Sequence, residues 1–195
     1  EWSLPNPLEG VRVFKEAEKE MSWLTLSQIP ELFRACEQYG KDDLTMIVKV
    51  CLATGARWGE AERLTRPQLA PCKLTFTKTK GKKNRTVPIP KWLYDELAER
   101  QGRMFKPCYQ EFKKMLKLTN IELTEGQKTH VLRHTFGAHF MMNGGNILVL
   151  QKILGHSNIR ETMRYAHFAP DHLEQAVSLN PLSLYVGDNM AAEVA

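Results

Sequence analysis

A chain of 195 residues with 43% hydrophobic content can bury one sizeable core, which suits one domain with appendages. No apolar run reaches the roughly 20 residues that a membrane-spanning helix needs, and the opening Glu1-Trp2-Ser3-Leu4-Pro5 is no secretory leader. These features exclude a membrane-spanning helix and make the cytoplasm the expected setting; a first residue other than Met is expected of a piece cut from a longer chain. Cys36, Cys51, Cys72 and Cys108 form no CxxC pair, so neither a zinc knuckle nor a disulfide framework is indicated, and free, mostly buried thiols are expected. The net charge of +5 is unevenly spread. From Arg63 to Lys91 there are nine Lys or Arg and no Asp or Glu, while the remainder carries 18 basic against 22 acidic residues. A solvated lysine-rich hairpin and a contact with a nucleic-acid backbone both fit that segment.

In chain order, residues 1–23 read as a linker, with Asn6-Pro7, Gly10 and the charged run Lys15 to Glu20. Thr25-Leu26-Ser27-Gln28 fits a capping box for a helix bearing Ile29, Leu32 and Phe33 and stopped by Gly40. Asp42 or Asp43 is expected to cap a second helix with Leu44, Ile47, Val48, Cys51 and Leu52 as its core stripe, ended by Thr54-Gly55. Arg57 then opens a short helix to Leu64. Residues 69–71, 73–78 and 85–89 read as three short antiparallel strands, the last two joined by a Gly- and Lys-rich turn over 79–84. Pro90 opens a helix with Trp92, Leu93 and Leu97 expected inward. The next, from about Tyr109 to Leu118, carries Phe112, Met115 and Leu116 opposite Lys113, Lys114 and Lys117. A long helix from about Lys128 ends at Gly144-Gly145, and another bears Ile147, Leu150, Ile153 and Leu154. After Pro170 a short helix carries Leu173, Ala176 and Val177, and the tail beyond Asn180 has scattered apolar residues with no internal face to pack.

Chemistry-bearing residues gather between His130 and Tyr165. In His130-Val131-Leu132-Arg133-His134 the first His and the Arg are three apart, so a helix sets them on one face. Leu154-Gly155-His156-Ser157 predicts a helix end at Gly155 with Ser157 capping the next helix, which leaves His156 in the turn between. Tyr165 is expected two turns into that next helix. His130 and His134 have a spacing that suits zinc, yet HVLRH lacks the glutamate of HExxH and no third ligand is evident, so no metal is assigned.

Thr129-His130-Val131-Leu132-Arg133-His134-Thr135-Phe136, then Leu154-Gly155-His156-Ser157, then Thr162 to Tyr165 with His167 following, resembles the C-terminal half of the tyrosine recombinases, the family of phage integrases. Thr54 to Ala61 resembles the family's first arginine motif and Lys80-Gly81 its lysine motif, so the likeness runs from about Leu24 to Tyr165. Trp58 and Arg63 depart from it, standing where an apolar residue is more usual. The resemblance implies an α+β, mainly helical catalytic core with a small antiparallel three-stranded sheet over residues 24–178. Residues 1–23 would then link it to an upstream DNA-binding domain, and 179–195 would form a tail, either exchanged between protomers or a disordered terminus.

It also implies site-specific DNA recombination, integration or excision, through a covalent 3′-phosphotyrosine intermediate, in a bacterial host's cytoplasm and without metal or other cofactor. Arg57 and Arg133 would clamp the phosphate, His130 would accept or share the phenol proton, and His156 would donate to a phosphate oxygen. Lys80 would protonate the leaving 5′ oxygen, and Tyr165 would be the nucleophile. Lys78, Lys82, Lys83 and Arg85 are candidate contacts to the DNA backbone. The implied partners are double-stranded attachment sites and a homotetramer on paired sites, from a chain monomeric in isolation, with accessory DNA-bending and directionality proteins left open. Two other readings stay open: a type IB topoisomerase-like nicking-closing enzyme and a non-enzymatic helical DNA-binding module.

Overall fold

The computed structural model describes residues 21–77, 84–124, 126–171, 173 and 175–182. Helix α1 (Gln28–Tyr39) starts where Thr25 and Gln28 cap reciprocally, the Thr25 N–H donating to Gln28 Oε1 at 2.9 Å. It stops at Gly40, whose φ of 69° is the left-handed conformation that a residue with a Cβ adopts at a cost. Helix α2 (Asp42–Thr54) buries Leu44, Met46, Ile47, Val48, Val50 and Cys51, a wider face than the expected stripe, because it is the helix on which α6 (His130–Met142) packs. Each such side chain taken fully from water stabilises by about 1.5–3 kcal/mol. Neither Asp42 nor Asp43 caps α2. Asp43 instead ion-pairs with Arg100 and accepts the Lys106 N–H at 3.0 Å, tying α2 to the loop before α5 (Tyr109–Leu116).

Helix α3 (Trp58–Glu62) leads to the three-stranded antiparallel sheet β1 (Leu69–Ala70), β2 (Lys73–Phe76) and β3 (Arg85–Pro88), in that order, with Leu74 opposite Val87 and Phe76 opposite Arg85. Helix α4 (Lys91–Ala98) buries Leu93 and Leu97, but Trp92, expected inward, is 51% exposed. One residue before Leu93 is about 100° round the helix, and the indole instead lies 5.7 Å from the Lys49 ammonium. Helix α7 (Ile147–Leu154) is capped by the Asn146 side chain and ends at Gly155. Helix α8 (Arg160–Met163) and α9 (Gln175–Leu179) complete the order.

Met21 to Thr25 strap across α6 rather than leading away. The Leu24 N–H donates to Thr135 Oγ1 at 2.8 Å, His139 Nε2 donates to Leu24 O at 2.8 Å, and Trp23 meets the His139 ring edge-on. Among the described residues the packed unit therefore begins at Met21, within the stretch expected to be linker. A main core lies around α2, and a smaller one, Met141, Leu150, Leu154 and Tyr165, fills the angle between α6 and α7. No helix among the described residues is long and apolar enough to cross a membrane.

Candidate active site

The ends of α2, α3 and α7 and one face of α6 meet around a cavity of about 530 Å³, lined by Arg57, His130, Arg133, His134, His156, Arg164 and Tyr165 among others. Arg133 comes from within α6 and is buried. Its Nη1 donates to the Gly55 carbonyl and its Nη2 to the Leu154 carbonyl, both at 2.8 Å. These carbonyls close α2 and α7, where the last C=O groups lack partners within the helix and the helix dipole is negative, so one guanidinium satisfies both ends. Burial, then the nearby Arg57 charge, brings Arg133 down to about 10, which still leaves it a cation at neutral pH.

Arg57 stands at the N-terminus of α3, its backbone N–H donating to Glu60 Oε2 at 3.0 Å and its Nη1 to Glu60 Oε1 at 3.1 Å. Glu60 also accepts from Arg85 Nη2 at 2.6 Å. Burial would raise the Glu60 carboxyl, yet the Arg85 hydrogen bond and charge and the Arg57 backbone N–H outweigh it, so Glu60 lies below its ordinary range. Sequence reading made Arg85 a candidate DNA-backbone contact; the structure buries its side chain beneath the cavity. Its Nε donates to Ile153 O at 2.8 Å beneath Gly155, its guanidinium sits 4.6 Å over the Phe76 ring, and Nη1 is buried with no partner among the described residues. Lys78, Lys80, Lys82 and Lys83 lie outside the described residues.

His156 follows Gly155, in the turn where sequence put it. Its Nδ1 is 2.9 Å from Thr162 Oγ1 on α8, and Glu161 Oε2 is 4.0 Å from Nε2. Burial and the positive charges of Arg133 and Arg57 push its pKa down to about 3, so the ring is neutral. Ser157 does not cap the next helix: α8 starts later than expected, with Ile159 at the cap position and no side-chain cap, while Asn158 Oδ1 accepts the Arg160 N–H at 3.0 Å.

Tyr165 is not inside that helix either. Helix α8 ends at Met163, and Tyr165 occupies the turn after it, 1% exposed. Its Oη lies 2.9 Å from His134 Nδ1, whereas His130, expected to serve the phenol, is exposed at the start of α6 with its ring centre 6.1 Å from that of His134. Burial raises the phenol pKa, partly offset by Arg133, Arg164 and Arg57. Burial and the neighbouring His130, Arg164 and Arg133 lower His134 to about 4. Sequence reasoning missed Arg164 and the contact from His134. The four-residue step from His130 to His134, and the adjacency of Arg164 to Tyr165, were the signals present.

A phage integrase family model matches residues 103–172. The integrase of Escherichia phage 186 is 60% identical over 183 residues, which cover 93% of this chain and 54% of that protein. The catalytic domain of bacteriophage HP1 integrase matches with a TM-score of 0.80 at 58% identity, over 84% of this chain and 98% of that domain. A XerH site-specific recombinase bound to its difH substrate shares the fold, with a TM-score of 0.61 at 20% identity over 81% of this chain and 53% of that one. The chain spans about half the length of the phage integrases it matches.

Proposed function

Because the chain belongs to the phage integrase family of tyrosine recombinases, we propose that it cuts and rejoins DNA through a 3′-phosphotyrosine, in site-specific integration or excision. The observation that carries this reading is the convergence of Arg57, Arg133, His156 and Tyr165 on one cavity. A phosphodiester resists attack because it is an anion. Two guanidiniums, each a rigid fork of donors, offset that charge on the non-bridging oxygens and stabilise the greater charge of the transition state. Neutral His156 adds a donor if Thr162 donates to Nδ1 and leaves the ring proton on Nε2. Tyr165 Oη bonds to phosphorus as the bond from phosphorus to the 5′ oxygen breaks. The phenol proton passes to His130, which is open to solvent, and the 5′ oxygen takes a proton from Lys80. The reverse sequence, with a new 5′ hydroxyl, reseals the strand, and the phosphotyrosine ester conserves the energy for it. These roles need no metal, since the arginines supply the charge.

The DNA partner is a double-stranded attachment site, bound as a homotetramer on paired sites by a chain that is monomeric alone, in the cytoplasm of a bacterial host. Residues 179–195 are the segment for exchange between protomers; the exposed apolar side chains of Leu173, Leu179 and Leu182 support this. Accessory DNA-bending and directionality proteins fit the same reaction.

The test starts from nicked duplexes with a randomised central tract, incubated with the chain and recovered as SDS-stable adducts. Sequencing the trapped strands gives the cleavage site. Wild type should yield adducts and Tyr165→Phe none while still binding; adducts from Tyr165→Phe overturn the assignment.

A further inference from the structure

We propose that His134 and Gly137 form the seat of the nucleophile, His134 acting as a positioning residue that takes the Tyr165 hydroxyl in a hydrogen bond while Gly137 lets the ring lie against α6. The inference rests on Tyr165 being the nucleophile and assigns how it is held.

The arrangement follows from helix periodicity. His130, Arg133, His134 and Gly137 recur at steps of three and four, so they share one face of α6, the face that forms the cavity wall. At Gly137 the phenol ring lies where a side chain would be: a Cβ there would fall 2.6 Å from Tyr165 Cε1 and 2.8 Å from Cζ, inside any real contact distance. One turn earlier His134 Nδ1 reaches Oη at 2.9 Å. Two contacts, one on the ring and one on the oxygen, therefore fix both the depth and the direction of the phenol.

Tyr165 needs such fixing. It occupies a turn beyond α8, held locally by its N–H bond to Thr162 O, and a side chain in a turn has rotamers that point away from the cavity. The hydroxyl proton engaged on Nδ1 leaves the oxygen lone pairs for phosphorus. Neutral imidazole suits this task, and burial with the surrounding cations keeps His134 in that form at physiological pH. Displacement of a reacting group by about 1 Å is enough to cost on the order of 100-fold in rate.

The experiment uses the duplex recovered by trapping and two reactions. The first is single-turnover cleavage by the full chain. The second, in the Tyr165→Phe background, joins a strand ending in a 3′-p-nitrophenyl phosphate to a 5′ hydroxyl; nitrophenolate leaves without the phenol nucleophile, while the arginines still hold the phosphate. His134→Leu should cleave about 100-fold more slowly at unchanged DNA affinity. His134→Asn, which can carry an amide group near the Nδ1 position, should recover much of that rate. Gly137→Ala should cleave as poorly as His134→Leu. Joining of the activated strand should proceed at the same rate in the Tyr165→Phe protein whether or not it also carries His134→Leu. Wild-type cleavage by His134→Leu overturns the proposal, and so does parallel loss of cleavage and joining, which would make His134 a support of the arginine cavity. Adduct formation by Tyr165→Phe would instead sink the nucleophile assignment beneath it.

Discussion

Arg85 and Glu60 form an ion pair of 2.6 Å under the cavity, with side chains only 7% and 5% exposed. Glu60 also holds Arg57, so the first residue of β3 is tied through one carboxylate to the Arg57 guanidinium at the cavity. Removing one partner of a buried pair strands the other charge, at a cost of about 3–5 kcal/mol. Arg85→Ala should lose stability on that scale in urea denaturation. Arg85→Met with Glu60→Leu should recover most of it, because no unpaired charge remains, yet should cleave DNA poorly for want of Glu60 on Arg57. A loss below about 1 kcal/mol in Arg85→Ala would show the pair to be solvated.

Arg85 also illustrates what could be read without coordinates. The antiparallel sheet was legible because β2 and β3 alternate, and that same alternation puts Arg85 on the inward face with Val87. Its basic neighbours in sequence suggested an outward role, whereas the pleat required the inward one. Gly40, Gly55 and Gly155 marked helix ends correctly, since the left-handed caps they form depend on the residue itself. The hydroxyl contact of Tyr165 was not legible. It depends on α8 stopping at Met163 and on the depth that Gly137 allows, both tertiary facts. Asp43 failed as a predicted cap for a similar reason: Arg100, distant in sequence, outcompetes the local N–H groups for its carboxylate.

The two half-buried histidines of the cavity should not titrate in mild acid. With His156 near 3 and His134 near 4, against about 6.5 in an unfolded chain, the unfolded state binds more protons below pH 6.5, so both residues make stability fall as pH drops from there toward their folded values. Their Cε1 proton resonances should not titrate between pH 8 and about 5.5, and a midpoint near 6.5 for either would contradict the burial argument. Thr162→Val keeps the side-chain shape while removing the group on His156 Nδ1. It should cost about 1 kcal/mol of stability and slow cleavage roughly tenfold with DNA affinity intact.

Salt dependence separates cations that neutralise phosphate from those held inside the protein. If Lys78, Lys80, Lys82 and Lys83 each neutralise one phosphate, replacing all four by Ala should reduce the slope of log affinity against log salt by about 3.6. Arg85→Ala should leave the slope nearly unchanged, because its guanidinium is engaged by Glu60 and Ile153 rather than solvent. Fluorescence anisotropy on the trapped duplex between roughly 50 and 200 mM salt measures both. An Arg85→Ala slope lower by about one would place that arginine on the DNA after all.

Lys80 has a role distinct from electrostatics only if it delivers a proton. Its neighbours Lys78, Lys82 and Lys83 carry the same charge, so loss of binding cannot identify the acid. The leaving group can. A 5′ alkoxide is a poor leaving group and gains greatly from protonation, whereas a 5′ thiolate departs without a proton. Lys80→Ala should therefore be severely slow on ordinary DNA and regain most of its cleavage rate on a strand whose bridging 5′ oxygen is replaced by sulfur. Arg57→Ala should stay slow on both strands, because charge on the non-bridging oxygens is the same in each. Rescue of Lys78→Ala in place of Lys80→Ala would move the acid two residues along the segment between β2 and β3, and rescue of neither would show that neither lysine delivers the proton.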